Sequence, residues 1–406
     1  MKKFSILGLC LVAGLTMSAQ MDLVKDVERA VKAKEMNIYE FDYSTVSANV
    51  DAMLTNEESM NNSKTWYVAG LAKFADYQSQ LAKSSLGQTM DSKNMAKALV
   101  DGYDYMFKAL SLDTIVDDKG KVKTKESKKI VNAIVDNYQN LFGVGGEMLN
   151  ANEYQLTYNA LNYYLNLPQD NRFASKLKDN VNTEYIKYAY YYRAFAAVFI
   201  EKYEQAWQDS QKAIELGVED KVLYDVALNS ALALQDMDKV LFISEKAHQI
   251  YGKEDLNYVK NIVEAYVFKN EYAKAKEFVN QLITAEPDNA EYVMMLAEIY
   301  NKEGNKADAI ATYRKATQVD PYSAVAHLNL GLSLLESVTE IELNASAADE
   351  ARVRKEVTLP MINEAISALE TAYKLDEVNM GRAKNALIEI YRQLGDVENE
   401  ERAKNL

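Results

Sequence analysis

The chain has 406 residues, 60 of them Asp or Glu against 46 Lys or Arg, for a formal charge of −14; a field of that sign repels nucleic acid and anionic headgroups and favours solubility. Only four prolines and 15 glycines occur, and Ala, Leu, Lys, Glu and Tyr recur at helical spacing without strand alternation, which predicts a mostly α-helical chain. One compact core would be unusual at this length, whereas helices stacked along one axis escape the limit on core growth.

The N-terminus, MKKFSILGLCLVAGLTMSAQ, has two lysines, an apolar run over residues 4–15 and a small residue, Ala19, before Gln20. That pattern predicts a secretory signal over residues 1–19. The run is short of the roughly 20 residues that span a bilayer, and no later segment approaches that length, so the exported chain is expected to be soluble and periplasmic. Cys10 lies inside the run, after Leu-Gly-Leu, which lacks the small residue expected before a lipid-anchored cysteine. With the signal removed no cysteine remains, and losing Lys2 and Lys3 leaves 44 basic against 60 acidic residues, a charge of −16. Neither disulfides nor thiolate ligands are then available, and stability rests on packing.

Residues 20–62 read as an N-terminal helical hairpin around DYSTVSANVDAML. Residues 63–170 read as two divergent hairpins with long turns. The first carries TWYVAG and closes on KALSLD, with an extended turn over 77–93; the second carries NEYQLTYNALNYYLNLP. From Lys187 to Ser323 four regular units follow, 187–220, 221–255, 256–289 and 290–323. Tyr266 and Tyr300 lie 34 residues apart, as do Ala275 and Ala309, and Ile262, Leu296 and Leu330 continue the same period. Each unit has two helical stretches broken by a polar turn such as KNEY or KEGN. A small residue, Ala206, Ala275 or Ala309, stands early in the second stretch, where two helices crossing closely require one. Residues 324–380 form another unit, whose second stretch, NEAISALETAYKLD, arrives about 22 residues late. The intervening insert, 337–361, reads as lengthened helices plus a loop near 358–361. Residues 381–406 read as a C-terminal capping helix with a polar outer face.

These units resemble tetratricopeptide repeats, whose pattern runs tryptophan, leucine-glycine, tyrosine, alanine, an aromatic, alanine and proline. Residues 290–321 match it at Leu296, Ala297 in the glycine's place, Tyr300, Ala309, Tyr313, Ala316 and Pro321, with Val293 replacing the tryptophan; Trp66 and Gly70 stand in the family's places further upstream. The resemblance covers nearly all of the mature chain. It implies an all-α, right-handed α-solenoid of about eight helix-turn-helix hairpins plus a C-terminal capping helix. It also implies a non-enzymatic scaffold or adaptor that takes a partner protein or peptide in its concave groove.

In that geometry Tyr188, Tyr191, Phe195, Val198 and Phe199 point into the groove, with Asn229, Lys260, Glu264, Glu291 and Glu298 further along it, while Tyr190, Ala194 and Ala197 face neighbouring helices. Tyr191 and Phe195, as groove residues, are then expected to contribute little to packing between helices. The family's carboxylate clamp uses lysine, arginine and asparagine. Here Asn229 and Asn261 keep the asparagine positions, but Asp225, Glu291 and Met295 replace the basic ones. The implied partner segment is therefore apolar toward Tyr188 and Phe199 and basic toward Glu264, Glu291 and Glu298, and is not an acidic C-terminal tail. An alternative is a glycan-binding or glycan-processing accessory protein that uses YAYYYRAF, residues 188–195, as a stacking platform. Self-association stays open.

Candidates for chemistry are few. The histidines are His248 and His327, in different repeats, and His327 holds the position of the family's tryptophan, which reads as a packed or capped ring. No nucleophile triad or histidine-rich metal set can be assembled, so no cofactor and no metal are expected. Asp117 with Asp118 and Glu400 with Glu401 read as solvated turns and helix ends. FGVGGEM, residues 142–148, lacks the lysine and hydroxyl of a phosphate loop, and its glycines read as points of close helix approach. Asp113-Thr114-Ile115 resembles an envelope O-glycosylation site, or is a turn after LSLD.

Overall fold

The computed structural model describes residues 17–34, 37–116, 122–252 and 255–406. The expected export signal lies almost wholly outside them, as do Cys10, Asp117 and Asp118. The chain divides into two compact units, Met1–Gln235 and Asp236–Leu406.

In the first unit the helices are α1 (Met17–Lys34), α2 (Ser47–Thr55), α3 (Ser63–Ser85), α4 (Ser92–Leu112), α5 (Ser127–Asp136), α6 (Asn140–Asn150), α7 (Tyr154–Asn166), α8 (Ala174–Leu177), α9 (Thr183–Phe199), α10 (Tyr203–Glu215) and α11 (Lys221–Ala233). Most of the expected turn over 77–93 is helix, since α3 runs on to Ser85. Between α4 and α5 sits a short antiparallel ladder of β1 (Ile115–Val116) and β2 (Val122–Lys123), with Ile115 opposite Lys123. Two residues per strand are too few to leave an alternation in the sequence.

The second unit holds α12 (Met237–Tyr251), α13 (Leu256–Phe268), α14 (Tyr272–Ala285), α15 (Ala290–Glu303), α16 (Lys306–Val319), α17 (Ala324–Asn344), α18 (Glu350–Val353), α19 (Leu359–Leu375), α20 (Gly381–Leu394) and α21 (Val397–Lys404). The non-helical break in the insert falls at 345–349, where Ser346 and Asp349 bond each other, and not near 358–361. From Glu350 to Leu375 the helix is unbroken, and Pro360 follows a π-helical turn over 354–358, the kind of local widening by which a helix accommodates a residue without an N–H. The C-terminal region folds as two helices: α20 buries Leu387, Ile390 and Tyr391 against Leu369 and Tyr373, and the polar α21 contributes Ala403 to the same cluster.

The period is set by local chemistry at both ends of each helix. Asn182, Asp220, Asp255, Asn289 and Ser323 each precede the first helix of a hairpin and accept a backbone N–H in its first turn, satisfying donors the helix itself cannot. Inside the hairpins the turn passes through a left-handed residue: Asn152, Glu201, Gln235, Asn270, Gly304 and Gly395 all have φ between 55° and 86°. Lys202 N–H to Ala197 O at 2.8 Å and Glu271 N–H to Tyr266 O at 2.8 Å close these turns in the same way. Each turn directs the chain back along the helix it has just left, so the apolar faces of consecutive helices meet.

Packing is close where the sequence is small. Ala206, Ala275 and Ala309 are buried. A Cβ on Gly331 would come within 2.6 Å of Leu369, and one on Gly145 within 2.5 Å of Leu161, whereas Gly143 and Gly146 face open space. Of the three glycines in FGVGGEM, Gly145 is thus the one that admits a neighbouring side chain. Tyrosines build much of the first unit's core: Tyr138 stacks on Tyr164 at 4.8 Å and donates to the Tyr164 carbonyl, and Tyr103 donates to the carbonyl of Ile134. Tyr138 and Tyr103 are thus buried without stranding their hydroxyls.

Candidate functional site

In the second unit, α13 and α15 lie side by side and their outward faces, with the turns 285–289 and 319–325, enclose a concave cleft of about 1130 Å³. Lys260 and Glu264 come from α13, one turn apart; Glu291, Met295 and Glu298 come from α15. These four predicted polar residues are therefore brought together. Six carboxylates line the cleft, those of Glu264, Glu286, Asp288, Glu291, Glu298 and Asp320, against one cation, Lys260, which reaches Glu291 at 3.8 Å. Met294, Val319 and Val325 provide apolar lining and Met295 is buried at the base. Sequence reasoning missed Met294, Val319, Val325 and Asp320, because they sit one helix or one turn away from the positions the resemblance supplied. Glu298 stays exposed, yet the cleft walls withdraw enough water to push its carboxyl above the usual range; Glu264 adds to the rise, and Lys260 and Lys302 oppose it.

In the first unit the aromatic candidates on α9 separate into two kinds. Tyr188 and Phe199 are exposed, and Phe199 stacks on Tyr154 at 4.1 Å with Phe195 half-buried beside them. Tyr191 is packing. It lies against Ala213, Val218 and Leu223; burial first, then the nearby carboxylate of Asp220, the cap of α11, drive its pKa far upward. That corrects the expectation of a small packing contribution at Tyr191. Val198 packs with Tyr158, Ala197 and Ala206. Asn229 is exposed on α11. Tyr185, unremarked in the sequence, stacks on Phe142 at 4.5 Å and is exposed. The sequence reading also missed Arg193, which is buried in the middle of the tyrosine run and pairs with Asp209 through two hydrogen bonds.

The histidines are accounted for by packing. The His327 ring meets the Pro321 carbonyl at 3.1 Å, and His248 stands edge-on to Phe278, its pKa lowered by burial. Asp113 is buried, with its carboxylate taken up by backbone N–H groups of residues 125–127, while Thr114 is exposed. Among the described residues no group of three or more His, Cys, Asp or Glu is placed to hold a metal ion, and no helix is long and apolar enough to cross a membrane.

Residues 261–324, which supply the α15 wall and both turns of the cleft, match the tetratricopeptide repeat family model. Over those residues the chain is similar to tetratricopeptide repeats. Solved structures similar to it include YrrB, titled a TPR protein with an unusual peptide-binding site, at 17% identity over 52% of this chain and 96% of that one, with a TM-score of 0.32. The C-terminal part of a TPR repeat-containing protein from Cytophaga hutchinsonii is 12% identical over 64% of this chain and 92% of its own, with a TM-score of 0.41. MamA from Desulfovibrio magneticus RS-1 is 14% identical over 47% and 97%, with a TM-score of 0.32. No curated protein matches the chain in sequence. In tetratricopeptide terms, the cleft is built from the first helices of two consecutive repeats, whose second helices α14 and α16 pack behind them.

Proposed function

We propose that the chain is a non-enzymatic adaptor of the cell envelope, exported by its N-terminal signal, that holds an extended basic segment of a partner protein in the cleft between α13 and α15. The observation that supports this reading is the six-to-one excess of carboxylates over ammonium around a partly apolar cleft. Such a wall attracts Lys and Arg side chains and repels a C-terminal carboxylate, while Met294, Val319 and Val325 accept an aliphatic residue between the cations. At about 1130 Å³ the cleft exceeds the usual range for small-molecule pockets. The test is fluorescence anisotropy with a labelled peptide alternating Lys or Arg with Leu, and its counterpart with Glu in place of the cations. Tighter binding of the basic peptide is expected, weakening steeply with salt. Glu264→Gln with Glu298→Gln should reduce its affinity about tenfold, roughly 1.4 kcal/mol. Equal binding of the two peptides would sink the reading.

A second reading draws on the exposed faces of Tyr188 and Phe199 in the first unit: a glycan of the envelope stacks there. Retention on immobilised envelope glycan that is lost in Phe199→Ala, with peptide binding unchanged, would favour it.

A further inference from the structure

The insert lengthens α17 to 21 residues, against 14 in α15, and the extra turns open a second cavity in the second unit. It measures about 680 Å³. Its lining comes from Leu335 and Val338 on α17, Ile362 on α19, and Ala386, Ile390 and Leu394 on α20. One turn earlier, Gly331 lets Leu369 approach so closely that no Cβ would fit between them. The cavity is therefore not loose packing of the whole hairpin. It begins where the lengthened part of α17 leaves the regular repeat.

Side chains around an unfilled space forgo dispersion contacts on that side. What could restore them is indicated by the polar groups at the rim, all of which are already engaged. Thr339 donates to the Leu335 carbonyl at 3.0 Å; Glu342 accepts from the Thr358 hydroxyl at 2.7 Å and pairs with Arg354 at 3.5 Å. Glu389 pairs with Arg392 at 2.8 Å and accepts from Gln393 at 3.0 Å. Each lining carboxylate is already paired, Glu342 with Arg354 of the lining and Glu389 with Arg392 just outside it, so the mouth presents no unpaired charge to an ion. Leu343, 80% exposed, stands at the mouth as an apolar lip.

We propose that the insert forms, between α17, α19 and α20, a binding site for a small uncharged aliphatic ligand. The volume is in the range of small-molecule sites, and burial of the ligand's apolar surface is the recognition force. This site is separate from the acidic cleft and does not depend on the peptide reading.

The probe is the uncharged dye N-phenyl-1-naphthylamine, titrated into the full chain with fluorescence readout and then displaced by decanol or by decanoate. One saturable site is expected, with decanol displacing the dye at least tenfold better than decanoate. Ala386→Phe puts a ring into the cavity and should weaken dye binding at least tenfold while the chain stays folded by circular dichroism. If Ala386→Phe does not fold, Leu343→Ser at the exposed lip serves in its place, with a several-fold loss expected. Phe268→Ala removes an exposed aromatic ring elsewhere and should leave binding unchanged. The proposal is overturned if no saturable binding appears, if decanoate competes as well as decanol, if a folded cavity variant binds like the parent, or if Phe268→Ala abolishes the signal.

Discussion

The carboxylate of Asp113 accepts both the backbone N–H and the hydroxyl of Ser127, each at 2.6 Å. It also takes the N–H groups of Lys125 and Glu126, so a residue just past α4 caps the start of α5 across the β1–β2 excursion. Burial opposes the charge, but the Ser127 hydroxyl and the three N–H groups outweigh it and hold the carboxyl below the usual aspartate range. A depressed folded pKa contributes stability that is present above the unfolded value, near 3.8, and is lost as pH falls through the folded one. Asp113→Asn should cost about 2 kcal/mol at pH 7, the worth of its charge-assisted bonds. Urea unfolding of both proteins should show that difference shrinking below pH 4; a constant difference would contradict the capping role.

Arg193 and Asp209 form a buried pair, with Nη2 to Oδ1 at 2.6 Å and Nε to Oδ2 at 2.7 Å, and Asn162 accepts from a further guanidinium nitrogen. Asp209→Ala leaves the guanidinium buried without its counter-ion and should cost about 3 to 5 kcal/mol. Arg193→Met combined with Asp209→Leu should recover most of that loss, since it removes both desolvation costs. Chemical denaturation of Arg193→Met, Asp209→Leu and the double variant carrying both reads the coupling directly. Additive single losses would contradict the pair.

Ala309 packs among Ala297, Tyr313, Leu330 and Leu334, where α15, α16 and α17 meet. Replacing it by Leu inserts volume at a helix crossing and should cost about 1 to 3 kcal/mol. A thermal melt checks this, and an unchanged midpoint would mean the crossing lies elsewhere.

Removing residues 381–406 takes away α20 and α21 and uncovers Leu369 and Tyr373, and Tyr373 also loses the bond from its hydroxyl to the Leu406 carbonyl. Because each hairpin buries its apolar face on its neighbours, the remainder should keep its helicity while melting earlier and aggregating. Circular dichroism with light scattering follows both. Loss of all helical signal would point to a single undivided core.

By itself the sequence determined the helical hairpins and their period. The requirements for a hairpin are local: a capping residue such as Asn289 or Ser323, a turn that tolerates a left-handed residue at Asn270 or Gly304, and a small residue at Ala275 or Ala309. Each leaves its mark within a few positions of where it acts. Lys260, Glu264, Glu291 and Glu298 were legible for the same reason, since the face of a helix follows from its period. Tertiary structure decided the rest. Whether Tyr191 lines a groove or packs on Ala213 and Leu223 depends on the angle at which α9 meets α10 and α11, and a tyrosine suits either place. Arg193 carries no signal in the sequence, because its partner Asp209 is brought against it only from the next helix. The insert shows its extra length in the sequence, but its cavity needs side chains of α17, α19 and α20 brought together beyond the Gly331–Leu369 contact, an arrangement that no single stretch of residues encodes.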